Sequence, residues 1–140
     1  MPNDNKAFLA GHSFSFETVM FHPSKIEFML QARKAGFLVT LYFIGVESVQ
    51  TCLLRVAQRV ALGGHDVPAR KIQRRYVAAL AALPEAIRAS HRALVFDNSV
   101  SDPNSPLLGP RVVAEVFGDR NATYAPVPRG LRQWTLFAGP

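Results

Sequence analysis

Residues 55–76 read RVAQRVALGGHDVPARKIQRRY, and the organisation of the chain turns on them. The segment carries Arg55, Arg59, Arg70, Lys71, Arg74 and Arg75 against a single acid, Asp66. Its two ends read as helices that meet at Gly63-Gly64-His65. Gly63 stands where a helix ending at Leu62 takes a left-handed cap, and Asp66 with Pro68 predicts an N-cap and a first-turn proline for the next helix. The corner is therefore expected to be tight and mobile. Arg55 and Arg59 share one face of the first helix, and Arg75 on the second is placed to meet them across the corner. Planar, permanently charged forks that converge suit polyphosphate better than a single carboxylate. A solvated basic face is the alternative for such a run. Two adjacent glycines weigh against it, because they cost conformational entropy unless the chain needs a special turn or movement. His65 either donates to a phosphate or is structural.

Upstream, Phe14, Phe16 and Val19-Met20 form a short aromatic and β-branched run, read as a strand with Phe14 and Phe16 on one face. Glu17 and Thr18 then fall at its carboxyl end, where open α/β sheets gather their ligands. Glu17 serves chemistry there or pairs with a basic residue of the 55–76 segment. From Pro23 a helix follows, with Ser24 and Glu27 as a capping box, Ile26, Met29 and Leu30 as its apolar face, and Gly36 as its stop. Lys25, Arg33 and Lys34 form its solvated back. Residues 37–46, FLVTLYFIGV, are nearly continuously apolar, which predicts a strand covered on both faces. Strand, helix and strand in that order imply a right-handed crossover and a parallel pair. Glu47, just beyond, either orients a nucleotide or starts the next helix.

Downstream, Ile72, Tyr76, Leu80 and Leu83 keep helical spacing, and Pro84 begins a further helical turn. A short buried strand at 93–96 ends in Asp97-Asn98-Ser99, ordinary turn formers. Residues 101–110, SDPNSPLLGP, read as a loop, and 112–117 and 133–137 as a pair of edge strands.

A chain of 140 residues, 49% hydrophobic, forms one domain over 1–140, with a lid at about 48–82 and a carboxyl-terminal extension at about 100–140. The net charge of +6 raises nucleic acid as a partner, but the cations concentrate in one hinged pair of helices with few aromatics to stack bases. Cys52, the single cysteine, excludes an internal disulfide and shares an apolar helix side with Val49, Val56 and Val60. No second histidine or cysteine lies at ligand spacing, so no metal site is expected. No apolar run approaches the ~20 residues of a membrane span, and a cytoplasmic protein without a membrane partner is expected.

The lid, preceded by SFSFETVMFHPSKIEFMLQARKAGFLVTLYFIGVES and followed by FDNS, resembles the zeta-toxin-type P-loop kinases, specifically the small chromosomal bacterial branch. The likeness covers residues 13–99, and FETV, AGFLVTLYF and GGHDVP are its most specific parts. It implies an α/β fold: a three-layer αβα, P-loop-NTPase-like parallel sheet with a helical arginine lid. The implied reaction is transfer of the γ-phosphoryl group of ATP or GTP to a hydroxyl of a small molecule, in zeta toxins that of UDP-N-acetylglucosamine, with Mg²⁺ assisting. Arg59 and Arg75, backed by Arg55 and Arg74, would then clamp the transferring phosphate, an effect that reaches roughly 10³ to 10⁵ in rate for a trans arginine finger. By the same resemblance Glu17, beside Thr18, contacts the sugar part of the substrate, Asp97 or Asn98 approaches the adenine or ribose, and an antitoxin is a partner. Members of the family begin with a strand and a GxxxxGK[ST] loop. Residues 1–12, MPNDNKAFLAGH, hold neither, and no glycine here precedes Lys-Ser or Lys-Thr, so the implied sheet is amino-terminally truncated. Two other classes stay open: a non-catalytic remnant that binds a phosphorylated ligand or a protein partner, and a basic nucleic-acid-binding module.

Overall fold

The computed structural model describes residues 2–99, 109–118, 120–123, 127 and 131. Their elements run α1 (Pro2–Leu9), α2 (Ser24–Lys34), β1 (Thr40–Gly45), α3 (Val49–Ala61), α4 (Ala69–Ala89), β2 (Arg92–Asp97), β3 (Arg111–Phe117) and β4 (Arg120–Thr123). The fold is α/β with a four-stranded mixed sheet in the order β1-β2-β3-β4. β1 and β2 are parallel, from Thr40 opposite Arg92 to Gly45 opposite Asp97, and α3 and α4 form the connection between them. β3 and β4 add antiparallel strands.

The core lies where α2 and α4 pack on one face of the sheet. Ile26 and Met29 of α2, Leu80, Leu83, Ala86 and Ile87 of α4, and Leu41, Val95 and Val113 of the strands belong to one buried cluster. In α4 the buried positions recur at three- and four-residue spacing, the period that puts them on one helix face. Pro84 does not begin a separate turn, as its sequence suggests, but sits inside a continuous 21-residue helix. There it withholds only the one amide that would bond the Leu80 carbonyl. A bulge opposite Val95/Phe96 resets the alternation of β3, which is why the adjacent residues Val113 and Ala114 are both buried.

Three expectations are corrected. β1 is not covered on both faces: Leu41 and Phe43 are 7% and 9% exposed, but Tyr42 and Ile44 are 63% and 58% exposed. Among the described residues it is an edge strand with one open face, on which the Tyr42 and Phe96 rings meet at 6.2 Å. Residues 13–20 form no strand, and the parallel pair expected between them and residues 37–46 does not exist. Phe14 and Phe16 do share a side, stacked at 6.3 Å, but their surface is taken up by Phe28 of α2, at 5.9 and 5.8 Å. Aromatic packing thus uses the alternation that a neighbouring strand would have used. The capping box of α2 is also unformed, because Pro23 occupies the N-cap and the Ser24 hydroxyl pairs with His22 Nδ1 at 2.9 Å.

Elsewhere α2 ends at Gly36 as its sequence predicts, and residues 2–9 are a short helix. Arg33 is not merely part of a solvated back: Nη1 donates to the carbonyls of Arg88 (2.8 Å) and Ser90 (3.1 Å). A cation there offsets the negative end of α4. After β3 the chain turns at Gly118, φ +57°, and β4 follows. Residues 133–137, the expected partner of 112–117, lie outside the described residues, and β3 pairs instead with β2 and β4.

Adjacent residues of β1 give a direct test of its one-sided burial. Leu41→Ala should cost about 2–5 kcal/mol, whereas Tyr42→Thr should stay within about 1 kcal/mol, read from urea midpoints at constant m-value.

Candidate anion-binding site

α3 and α4 meet at a corner whose geometry explains both glycines. Gly63 has φ +83°, and its amide donates to the Val60 carbonyl at 2.9 Å, while Gly64 N donates to Arg59 O at 2.8 Å. This is the paired closure of a Schellman cap. A Cβ on Gly64 would lie 2.5 Å from Arg59 Cγ and 2.8 Å from Arg59 O, so the second glycine is required by close approach. These bonds make the corner tight, as its two glycines predict. Arg59 is tied further, since Nη2 donates to the His65 carbonyl at 3.1 Å. The predicted Asp66 cap is not made: Pro68 takes the N-cap of α4 and no side chain bonds there. At the other end of α3, Ser48 Oγ accepts from Thr51 N at 3.3 Å.

Between α3, α4 and the carboxyl end of β1 lies an open cavity of about 400 Å³. Arg55, Arg59 and Arg75 all line it, together with Tyr76 and Asn98, and the lining contains no carboxylate. Each guanidinium is positioned by the protein itself. Arg55 Nη2 donates to the Asn98 carbonyl at 2.5 Å, and the Arg75 guanidinium lies 4.9 Å over the ring of Phe21. That cation–π contact holds the Arg75 charge beside the cavity. Tyr76 Oη donates to the Val46 carbonyl at 3.2 Å, fastening α4 to the end of β1.

The remaining predicted residues are distributed differently. Arg74 is exposed and outside the lining, and the His65 side chain is exposed, only its carbonyl being engaged. Glu17 and Thr18 are exposed on a segment without secondary structure, not at a strand end, and neither lines the cavity. Two positions further on, Val19 does, and Phe21 supplies the ring under Arg75. Neither residue was singled out by spacing or charge. Asp97 is 7% exposed: Oδ1 accepts from Ser99 N (2.9 Å) and Ser99 Oγ (2.5 Å), and Oδ2 pairs with Arg111 at 3.3 Å. Ser99 Oγ also accepts from Glu47 N at 2.8 Å, so this carboxylate ties the end of β2 to the turn before α3. Asn98 donates its amide to Gly45 O at 2.8 Å.

Cys52 is half-buried in the cavity wall. Burial pushes its thiol above the ordinary 9.0, partly offset by the Arg55 charge. Tyr76 is raised from 10.0 by burial, with Cys52 and Glu47 adding to the shift. Among the described residues no cluster of His, Cys, Asp or Glu is arranged to hold a metal ion, and no helix is long and apolar enough to cross a membrane.

Compared with protein families, curated proteins and solved structures, the chain matches none. What the site does is therefore argued from its own chemistry.

Raised thiol and phenol values have a definite sign. Their contribution to stability is complete below the unfolded-state values and is lost as pH rises through the folded ones. Stability should therefore decline above about pH 9, where Cys52 begins to ionise in the unfolded chain, and Cys52→Ala should make that decline shallower in urea titrations.

Proposed function

We propose that the chain binds a phosphorylated ligand in the cavity between α3, α4 and β1, in the way the zeta-toxin-type phosphotransferases it resembles hold a transferring phosphate. The convergence of Arg55, Arg59 and Arg75 on one cavity with no carboxylate in its lining carries this reading. The lining brings three cations together without a counter-charge, and among the described residues no carboxylate lies within ion-pair distance of Arg59 or Arg75. Guanidinium forks bond two oxygens of a phosphoryl group at once, which a lone ammonium does not.

In the kinase reading, ATP or GTP donates its γ-phosphoryl group to a hydroxyl of a small molecule, and these arginines neutralise charge that builds on the transferred oxygens. The P-loop-like architecture belongs to the same proposal. The cavity residues fit the phosphoryl part of that chemistry. They do not fit Mg²⁺, which is held through carboxylates together with phosphate oxygens, so no step is assigned to a metal here.

A second reading, binding without transfer, is favoured by the position of Glu17, which lies outside the lining of the cavity. The gathering of three arginines into one concave site, not along a strip, favours a small ligand over duplex nucleic acid.

Calorimetric titration with ATP plus Mg²⁺, with UDP-N-acetylglucosamine, with phenyl phosphate and with the corresponding nucleosides checks the proposal. At least one phosphorylated compound should bind, the nucleosides should not, and Arg59→Ala or Arg75→Ala should weaken binding about tenfold or more. Mg²⁺-dependent ATP binding with phosphate turnover selects the kinase reading over simple binding. Failure of every phosphorylated compound to bind, or binding indifferent to both substitutions, overturns the proposal.

A further inference from the structure

The phosphate reading leaves open what the phosphate is attached to, and the cavity wall bears on this. We infer that the cavity takes a phosphate monoester of an apolar ring or short aliphatic chain, its phosphate on the arginines and its apolar part against α3 and α4. This inference rests on the phosphate-binding reading above and sharpens its ligand class.

Three observations carry it. The first is the composition of the wall: away from the guanidiniums it is built from Phe43, Val46, Val56, Val67, Ile72 and Leu80. No Ser, Thr, Gln, His, Asp or Glu side chain lines it, so the hydroxyls of a sugar or the edge of a base would be enclosed with few partners. Of the two other polar side chains in the wall, Tyr76 gives its hydroxyl to Val46 O, which leaves the Asn98 side chain as the one amide beside the guanidiniums.

The second is the state of α3. Its apolar positions are concentrated on one side, yet no residue of this 13-residue helix is buried. Cys52 and Val56, on the cavity side, are only half-covered. A helix of that pattern ordinarily closes its apolar stripe against another surface, and here the cavity lies in that place. An apolar ligand group would complete the cover.

The third is the placement of charge. Arg55 and Arg59 are one helical turn apart on α3, and Arg75 of α4 lines the same cavity with its guanidinium 4.9 Å over the Phe21 ring. The cationic groups thus share a cavity with apolar wall in one volume of about 400 Å³, within the range of sites that enclose small organic ligands. Each methylene removed from water on such a wall is worth about fourfold in affinity.

The test uses the whole chain and compares inorganic phosphate, glucose 6-phosphate, phenyl phosphate, hexyl phosphate and hexanol, by ligand-observed NMR titration at one salt concentration. Phenyl or hexyl phosphate should bind at least tenfold tighter than inorganic phosphate and glucose 6-phosphate. Hexanol should bind far more weakly than hexyl phosphate. Ile72→Asn, or Val67→Asn should the first not fold, should narrow the gap between hexyl phosphate and inorganic phosphate. If glucose 6-phosphate matches or exceeds the apolar esters, the inference falls while the phosphate reading stands. If hexanol binds as well as hexyl phosphate, or no phosphate binds, both fall. The unsubstituted chain alone decides among these outcomes.

Discussion

The arrangement of this protein depends on the burial of the carboxyl-terminal half of α4. Leu83 and Ala86 are fully enclosed, as are Val95 and Val113 on the sheet, and full burial of a large aliphatic side chain is worth about 1.5–3 kcal/mol. With that half of the helix fixed, its other half is carried to the carboxyl end of β1, where Tyr76 bonds the Val46 carbonyl. One helix face therefore passes from core, at Leu83 and Ile87, to cavity wall, at Ile72 and Tyr76. Arg75 is delivered to the cavity by the same geometry.

α3 is held in another way. It contributes no fully buried side chain, so its position rests on its two ends, its contact with α4 and the bond from Arg55 to Asn98. The Schellman closure sets the direction in which α4 leaves α3, and Arg59 supplies one of its two carbonyls as well as a cation for the cavity. The arginines that make the site attractive to an anion are thus also among the groups that hold it together. An element with few buried contacts is where local opening is least costly, which suits a wall that a ligand completes.

Much of this was legible in the sequence where a local rule decides. A glycine after the last apolar position of a helix marks a left-handed cap, and Gly36 and Gly63 both adopt one. The strand positions at β1 and β2 and the helical spacing of Ile72, Tyr76, Leu80 and Leu83 follow from β-branched content and periodicity, although the parallel pair was expected between residues 13–20 and 37–46. Where competing partners decide, the sequence misled. Phe14 and Phe16 alternate like strand residues, but Phe28 and Phe37 offer them ring contacts and no strand lies alongside. Ser24 and Asp66 look like caps, yet a proline stands at the N-cap of each following helix and supplies no hydrogen-bonding side chain. Glu17 was placed at a strand end that does not form. The Arg33 cap on α4 joins residues 55 positions apart, and the Phe21 ring beneath Arg75 is equally remote; no spacing rule reaches either. Asp97 was readable as a turn former, and its carboxylate does bond Ser99 two residues on.

The central claim is that guanidinium groups from both sides of a glycine corner act on one anion. A crystal soaked in tungstate, with the anion located by its anomalous scattering, tests it most directly. The account predicts a peak inside the cavity within hydrogen-bonding reach of both Arg59 and Arg75. Peaks only beside the exposed Arg70, Lys71 and Arg74, or none at all, would contradict it.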